Sequence, residues 1–161
     1  MKKHTLLTMI CGVVLSLLIS ACGEPTYHQI KNKQSGHYLS SNGVTENESP
    51  VIQQSEPGDN GLWELIETDG LYQIRNKVSG LYVSTMGTPG TNSPLSQTDN
   101  PGEDGLWEKV SIDDDYVRLK SKTSEMFMKN NGNRNNNAPI LHGGSPGDGA
   151  AWELIIELEQ E

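Results

Sequence analysis

The chain has 161 residues, with 12 basic against 21 acidic side chains and a net charge of −9. So acidic a surface repels nucleic acid and anionic membrane, which sets aside phosphate-rich and heparin-like partners. Of its two cysteines, Cys11 lies in an apolar N-terminal run and Cys22 at the end of it, so no disulfide framework is expected.

That N-terminal stretch, "MKKHTLLTMICGVVLSLLISACG", has Lys2 and Lys3, an apolar run over 6–19 and then small residues. This is the order of a secretory signal, and the run is too short to span a bilayer comfortably. "ISAC" at 19–22 resembles the bacterial lipobox, whose cysteine is acylated before cleavage. The resemblance implies lipidation of Cys22 and removal of residues 1–21. Cys11 follows Ile10 and does not fit. Gly23, a non-Asp residue after the lipidated position, implies sorting to the outer membrane of the cell envelope. Residues 22–25 then form an anchor linker, held by acyl chains at about 0.8 kcal/mol per buried CH₂. Loss of the signal leaves ten basic and 21 acidic side chains, a net −11.

From position 26 the chain repeats itself three times, over 26–70, 71–115 and 116–161. Trp63, Trp107 and Trp152 are spaced by 44 and 45 residues and end the related stretches "EPGDNGLW", "NPGEDGLW" and "SPGDGAAW". The same offsets relate Ile30, Ile74 and Leu119, then Gly43, Gly87 and Gly132. The one extra residue falls in "SIDDD", between Trp107 and Tyr116. Each copy reads as four short strands. In the first these are "YHQIKN", "HYLSS", "PVIQQS" and "LWELI", separated by Gly, Pro, Asn and Asp turns. No segment sustains a helical apolar period. Three copies of four strands give an all-β fold, a β-trefoil. Six strands close a barrel, three hairpins cap it, and no open edge is left. The predicted core is Ile30, Leu39, Val51 and Trp63, then Ile74, Val83, Leu95 and Trp107, then Leu119, Met128, Ile140 and Trp152. Leu65 and Leu154 continue the inward alternation; Lys109 takes their place in the second copy and must either shift its strand or snorkel.

The pattern "YxIxNxxSGxYL…G…SPVxQ…GDNGLWEL" resembles the repeat of ricin-type β-trefoil lectins over the whole of 26–161. That family implies a module that binds sugar without catalysis. It puts an Asp after the second strand's apolar pair, where this chain has Ser40, Ser84 and Lys129. Its stacking aromatic falls at Gln54, Thr98 and Gly143, and its Asn at Asn60, Asp104 and Gly149. Gly61, Gly105 and Ala150 occupy the place of its signature Gln. The polar residues that remain for a ligand are Ser40, Gln54, Asp59 and Asn60 in the first copy and Ser84, Asp99 and Asp104 in the second. The third copy is nearly bare. Asp59, Glu103 and Asp148 also read as formers of the Pro-Gly turn.

No other chemistry is written in the chain. His28, His37 and His142 sit at non-equivalent places, no zinc spacing occurs, and "SIDDDY" lacks the alternating ligands of a calcium loop. No nucleophile motif is present, and no cofactor is expected. The expected protein is a monomeric, lipid-anchored binder of a neutral glycan, with no catalytic role. The alternative is a protein-interaction or inhibitor trefoil whose loops bind an envelope or host protein. Cys22→Ser should leave uncleaved or soluble precursor, read by fractionation and mobility shift; normal membrane sorting of that variant would overturn the anchor.

Overall fold

Strand β1 (Tyr27–Asn32) buries Ile30 and Asn32 and half-exposes the residue between them, the period-two pattern of a strand with one wet face. The first lobe continues with β2 (Tyr38–Ser40), β3 (Ile52–Gln54), a 3₁₀ turn at Gly58–Gly61 and β4 (Leu62–Thr68). The second holds β5 (Leu71–Asn76), β6 (Tyr82–Ser84), a two-residue β7 (Ser93–Pro94), β8 (Ser96–Thr98), a turn at Gly102–Gly105 and β9 (Trp107–Ser111). The third holds β10 (Val117–Ser121), β11 (Phe127–Lys129), β12 (Leu141–Gly143), a turn at Asp148–Ala150 and β13 (Trp152–Ile156). This computed structural model describes residues 24–88 and 90–158; the signal segment and Cys22 lie outside them.

Six strands close a ring. β1 pairs β4, β4 pairs β5, β5 pairs β9, β9 pairs β10, β10 pairs β13, and β13 returns to β1 with Asn32 opposite Trp152. The hairpins β2–β3, β6–β8 and β11–β12 cap one end. Where they meet, three backbone bonds run in a circle: Val51 N–H donates to Leu95 O, Leu95 N–H to Ile140 O, and Ile140 N–H to Val51 O, at 3.0, 2.9 and 2.9 Å. The fold is the β-trefoil expected from the repeat, with β7 as an added short pairing against β12.

All twelve predicted core residues are fully buried in one cluster, and Leu65 and Leu154 pack against it. Lys109 keeps register, opposite Leu119, and leaves the core by laying its Nζ 4.7 Å from the Tyr72 ring centroid. Of the two ways to place a lysine there, the strand holds and the side chain snorkels. The joints explain the extra residue. Asp69 and Gly70, both at positive φ, make the two-residue hairpin turn between β4 and β5. Between β9 and β10 the Asp113 carboxylate instead accepts the N–H groups of Asp115 and Tyr116, a wider Asp-centred turn.

The turn before each Trp shows why glycine holds the family's glutamine place. A Cβ on Gly61 would come within 2.3 Å of Pro57 Cγ, and one on Gly105 within 2.2 Å of Pro101 Cβ. Ala150 already carries that Cβ, and its turn is different: it starts later, at Asp148, after an extended Gly147 at φ −65 and ψ −169. The first two turns start from Pro57 and Pro101 in the helical region.

A second set of equivalent residues is polar and buried. Ser35 Oγ donates to Gln53 Oε1 at 2.9 Å and Ser79 Oγ to Gln97 Oε1 at 2.8 Å. Both amides then bond the neighbouring lobe, Gln53 through Asn133 O and Asn135 O, and Gln97 through Ser49 Oγ. The third lobe has His142 here. Its Nδ1 meets Ser124 Oγ at 3.2 Å, while Nε2 is buried without a partner.

Two predictions follow from these departures from symmetry. Gly61→Ala and Gly105→Ala should each lower stability by about 1–3 kcal/mol in urea unfolding, from overpacking against proline. Ala150→Gly should cost about 1 kcal/mol or less. Burial lowers the His142 pKa below its ordinary 6.5, so the unfolded chain takes up the proton first as pH falls. Its contribution is therefore complete above pH 6.5 and declines below it. His142→Gln, which restores the residue of the other lobes, should flatten the fall in melting temperature between pH 7 and pH 5. Part of that fall should persist through His28, whose pKa burial also lowers.

Candidate functional site

Each Trp indole N–H donates to the carbonyl just before its lobe's candidate site residue. Trp63 bonds Leu39 O, Trp107 bonds Val83 O and Trp152 bonds Met128 O, at 3.0, 3.2 and 3.0 Å. Ser40, Ser84 and Lys129 therefore occupy equivalent, rigidly held positions at the ends of β2, β6 and β11. What surrounds them differs from lobe to lobe.

In the first lobe the structure brings Ser40 and Gln54 together and joins them to each other. Ser40 Oγ, fully buried, donates to Gln54 Oε1 at 2.6 Å and accepts the Asn42 N–H. The Gln54 amide then donates to Asn42 Oδ1 and, from the third lobe, Asn137 Oδ1. Asn60 lies beside them, its side chain packed against Gly43 and its carbonyl accepting from Ser41 and Asn76. Asp59 points away, exposed, toward Lys77 Nζ at 3.7 Å. Of the polar groups proposed for a ligand here, Ser40 and Gln54 already satisfy each other, and Asp59 is turned to Lys77.

The Asp59 contact belongs to a threefold set. Lys122 reaches Glu103 at 2.7 Å, and Lys33 reaches Asp148 at 4.0 Å. Each acidic turn thus faces the lysine that follows the first strand of the next lobe, whose backbone N–H also bonds the residue before the Trp. Lys122 holds the Glu103 carboxyl below its usual range, by a hydrogen bond and by its charge. These pairs are exposed and orient the turns more than they stabilise them. They explain why the turn is acidic in every copy.

The second lobe leaves more open. Ser84 is buried and its Oγ accepts the Met86 N–H; Asp99 is exposed just beyond β8, with its N–H donating to Asn47 Oδ1. Asp104 lines a shallow cleft of about 100 Å³ between the second and third lobes, with Thr85, Gly87, Thr88, Thr123 and Ser124. One Asp104 oxygen accepts from Thr123 Oγ1 at 2.9 Å; the other would lie 3.4 Å from a Cβ built on Gly87. Asp104 is the one residue of the seven that borders such a cleft. The four hydroxyls beside it escaped sequence reasoning because they come from two lobes.

The third lobe holds a larger cleft, of about 210 Å³, lined by Lys129, Asn131, Ser145 and Asp148 and closed from the first lobe by Gln34. No residue predicted from the sequence falls there.

Ser124 and His142 are the nearest approach to a nucleophile and its base. Yet Ser35–Gln53 and Ser79–Gln97 make the same bond at the same place with an amide that takes no proton. The pair is a variant of a structural contact. Among the described residues no three His, Cys, Asp or Glu side chains come together to hold a metal ion.

The comparisons agree with this geometry. A comparison with curated proteins finds no match. The chain superposes on the designed threefold-symmetric protein ThreeFoil with a TM-score of 0.77, at 26% identity, covering 82% of this chain and 99% of that one. It is similar in fold to the Rhizoctonia solani agglutinin, with a TM-score of 0.74 and 19% identity over 83% of this chain and 96% of that one. It is similar also to the Macrolepiota procera ricin B-like lectin solved with lactose, with a TM-score of 0.70 and 17% identity over 83% and 96%. The family model described as ricin-type beta-trefoil lectin domain-like matches residues 17–97 and 59–142. With that model matched over most of its length, and with the closed threefold barrel that the family builds, the chain belongs to the ricin-type β-trefoil lectin domain-like family.

Proposed function

We propose that this chain is a non-catalytic, lipid-anchored protein of the bacterial envelope that binds a neutral sugar at its second lobe. The observation that carries the reading is the cleft around Asp104. A sugar presents hydroxyls that both donate and accept, and this cleft offers a carboxylate, one of whose oxygens makes no hydrogen bond among the described residues. Beside it stand the hydroxyls of Thr88, Thr123 and Ser124, which are held by Thr85 O, Asp104 and His142 and keep further bonding capacity. Asp104 stays aligned because Thr123 holds one of its oxygens. Gly87, at φ 67, makes the turn beside the other oxygen and places no side chain next to it.

No aromatic ring lines the cleft, so affinity rests on hydrogen bonds, and binding is weak at each site. The lipid anchor compensates, because many copies on one surface engage a polymeric glycan together. Family membership and the fold of the lactose-bound neighbour support carbohydrate as the ligand class.

The test is a glycan array probed with the full chain in detergent. Retention of neutral glycans is expected, and Asp104→Ala should weaken it by about tenfold or more, with little change in melting temperature. An array on which nothing is retained, together with capture of a single envelope protein, would hand the function to the protein-interaction reading.

A further inference from the structure

The third lobe keeps none of the family's polar pattern, yet its cleft is lined by Lys129, which makes no ion pair among the described residues, and by Gln34 of the first lobe, whose amide oxygen is buried without a donor. We infer that its cleft takes a carboxylate-bearing sugar, a uronic-acid type residue, with Lys129 as the group that receives the carboxylate. The inference rests on the glycan-binding reading and adds a second, acidic ligand class to it.

Lys129 stands where the other lobes have Ser40 and Ser84. It is only 8% exposed. Its chain lies across Gly143, where a Cβ would come within 2.6 Å of Cε and 2.7 Å of Nζ, so the glycine makes room for the lysine. The first and second lobes have Gln54 and Thr98 at that place, with Ser40 and Ser84 in the place of the lysine. Among the described residues the Lys129 Nζ makes neither an ion pair nor a hydrogen bond. An ammonium that lines a cleft with no carboxylate paired to it is open to an anionic ligand.

The opposite wall supplies the second group. Gln34 comes from the first lobe, and its Oε1 is buried without a donor. It lies close to Gly149, 3.1 Å from where a Cβ would stand. A hydroxyl-bearing ring that spans the cleft would place a carboxylate on Lys129 and a hydroxyl on Gln34. The volume, about 210 Å³, falls below that of drug-sized pockets and suits one ring. It opens because the Ala150 Cβ prevents the proline-over-glycine turn of the other lobes, leaving Gly147 extended.

The one carboxylate on the rim, Asp148, does not oppose this. Its side chain is 71% exposed and turned toward Lys33 Nζ at 4.0 Å. The remaining negative charge of the protein is screened over a Debye length of about 8 Å at physiological salt. Among the residues lining the cleft the cation is Lys129, with Asp148 at the rim paired to Lys33.

The experiment is calorimetric titration of the full chain in detergent with methyl β-glucuronide, methyl β-glucoside and acetate. The glucuronide is expected to bind about tenfold or more tightly than either of the others, with an affinity that falls as salt rises. Lys129→Ser, which installs the residue of the other two lobes and so preserves the fold, should abolish that preference. Lys129→Met, which keeps the apolar stem, should do the same. Equal affinity for glucuronide and glucoside overturns the inference and leaves neutral-sugar binding intact. Acetate binding as tightly as the glucuronide overturns the assignment to a sugar acid. A preference that survives both substitutions moves the carboxylate off Lys129 and overturns it as well. If neither sugar binds, this inference falls, while the glycan-binding reading at Asp104 is decided by the array.

Discussion

An indole N–H buried in an apolar core must find an acceptor, and three of them set the geometry of this protein. Each Trp fills the threefold core with its ring and donates to a carbonyl on the capping hairpin of its own lobe. One side chain thus ties the barrel strand behind it to the hairpin in front. The acceptors are the carbonyls of Leu39, Val83 and Met128, each one residue short of the candidate position that the lectin resemblance marks. The architectural bond therefore also holds the candidate position, and variation there changes the side chain without moving the backbone.

Against that fixed frame the lobes diverge in a consistent direction. The first lobe closes its polar residues on one another, through Ser40, Gln54, Asn42 and Asn137. The second keeps a carboxylate at an open cleft. The third exchanges Gly for Ala at position 150, Gln for His at 142 and Ser for Lys at 129, and its turn and cleft open accordingly. Departures from symmetry are what a threefold scaffold has to offer for specificity, because the symmetric residues are already committed to closing it. Asp59, Glu103 and Asp148 show the commitment: all three face a lysine of the next lobe, whatever else their charge could do.

The fold was legible in the sequence because its determinants are local or periodic. Apolar alternation placed the strands, and the 44- and 45-residue offsets brought Ile30, Ile74 and Leu119 onto one layer without any knowledge of pairing. The Asp-Gly step at 69–70 was equally readable as a two-residue turn, though the repeat drew attention elsewhere. The site was less legible, for a physical reason. Whether Gln54 is free depends on Asn137, 83 positions along the chain, and the Asp104 cleft borrows Thr123 and Ser124 from the next lobe. Lys129 read as the loss of an acid; its meaning lies in Gly143 beneath it and Gln34 across from it, which only the closed barrel brings near.

The barrel is closed by its first and last strands, β1 against β13 over five residue pairs, with Tyr27 O accepting the Glu157 N–H just beyond them. Until β13 is in place, β1 and β10 each present an unpaired edge, and Trp152 has no Met128 carbonyl to meet. Without β13 the Trp63 and Trp107 bonds would remain, but the core would lack Trp152 and the barrel its closing pair.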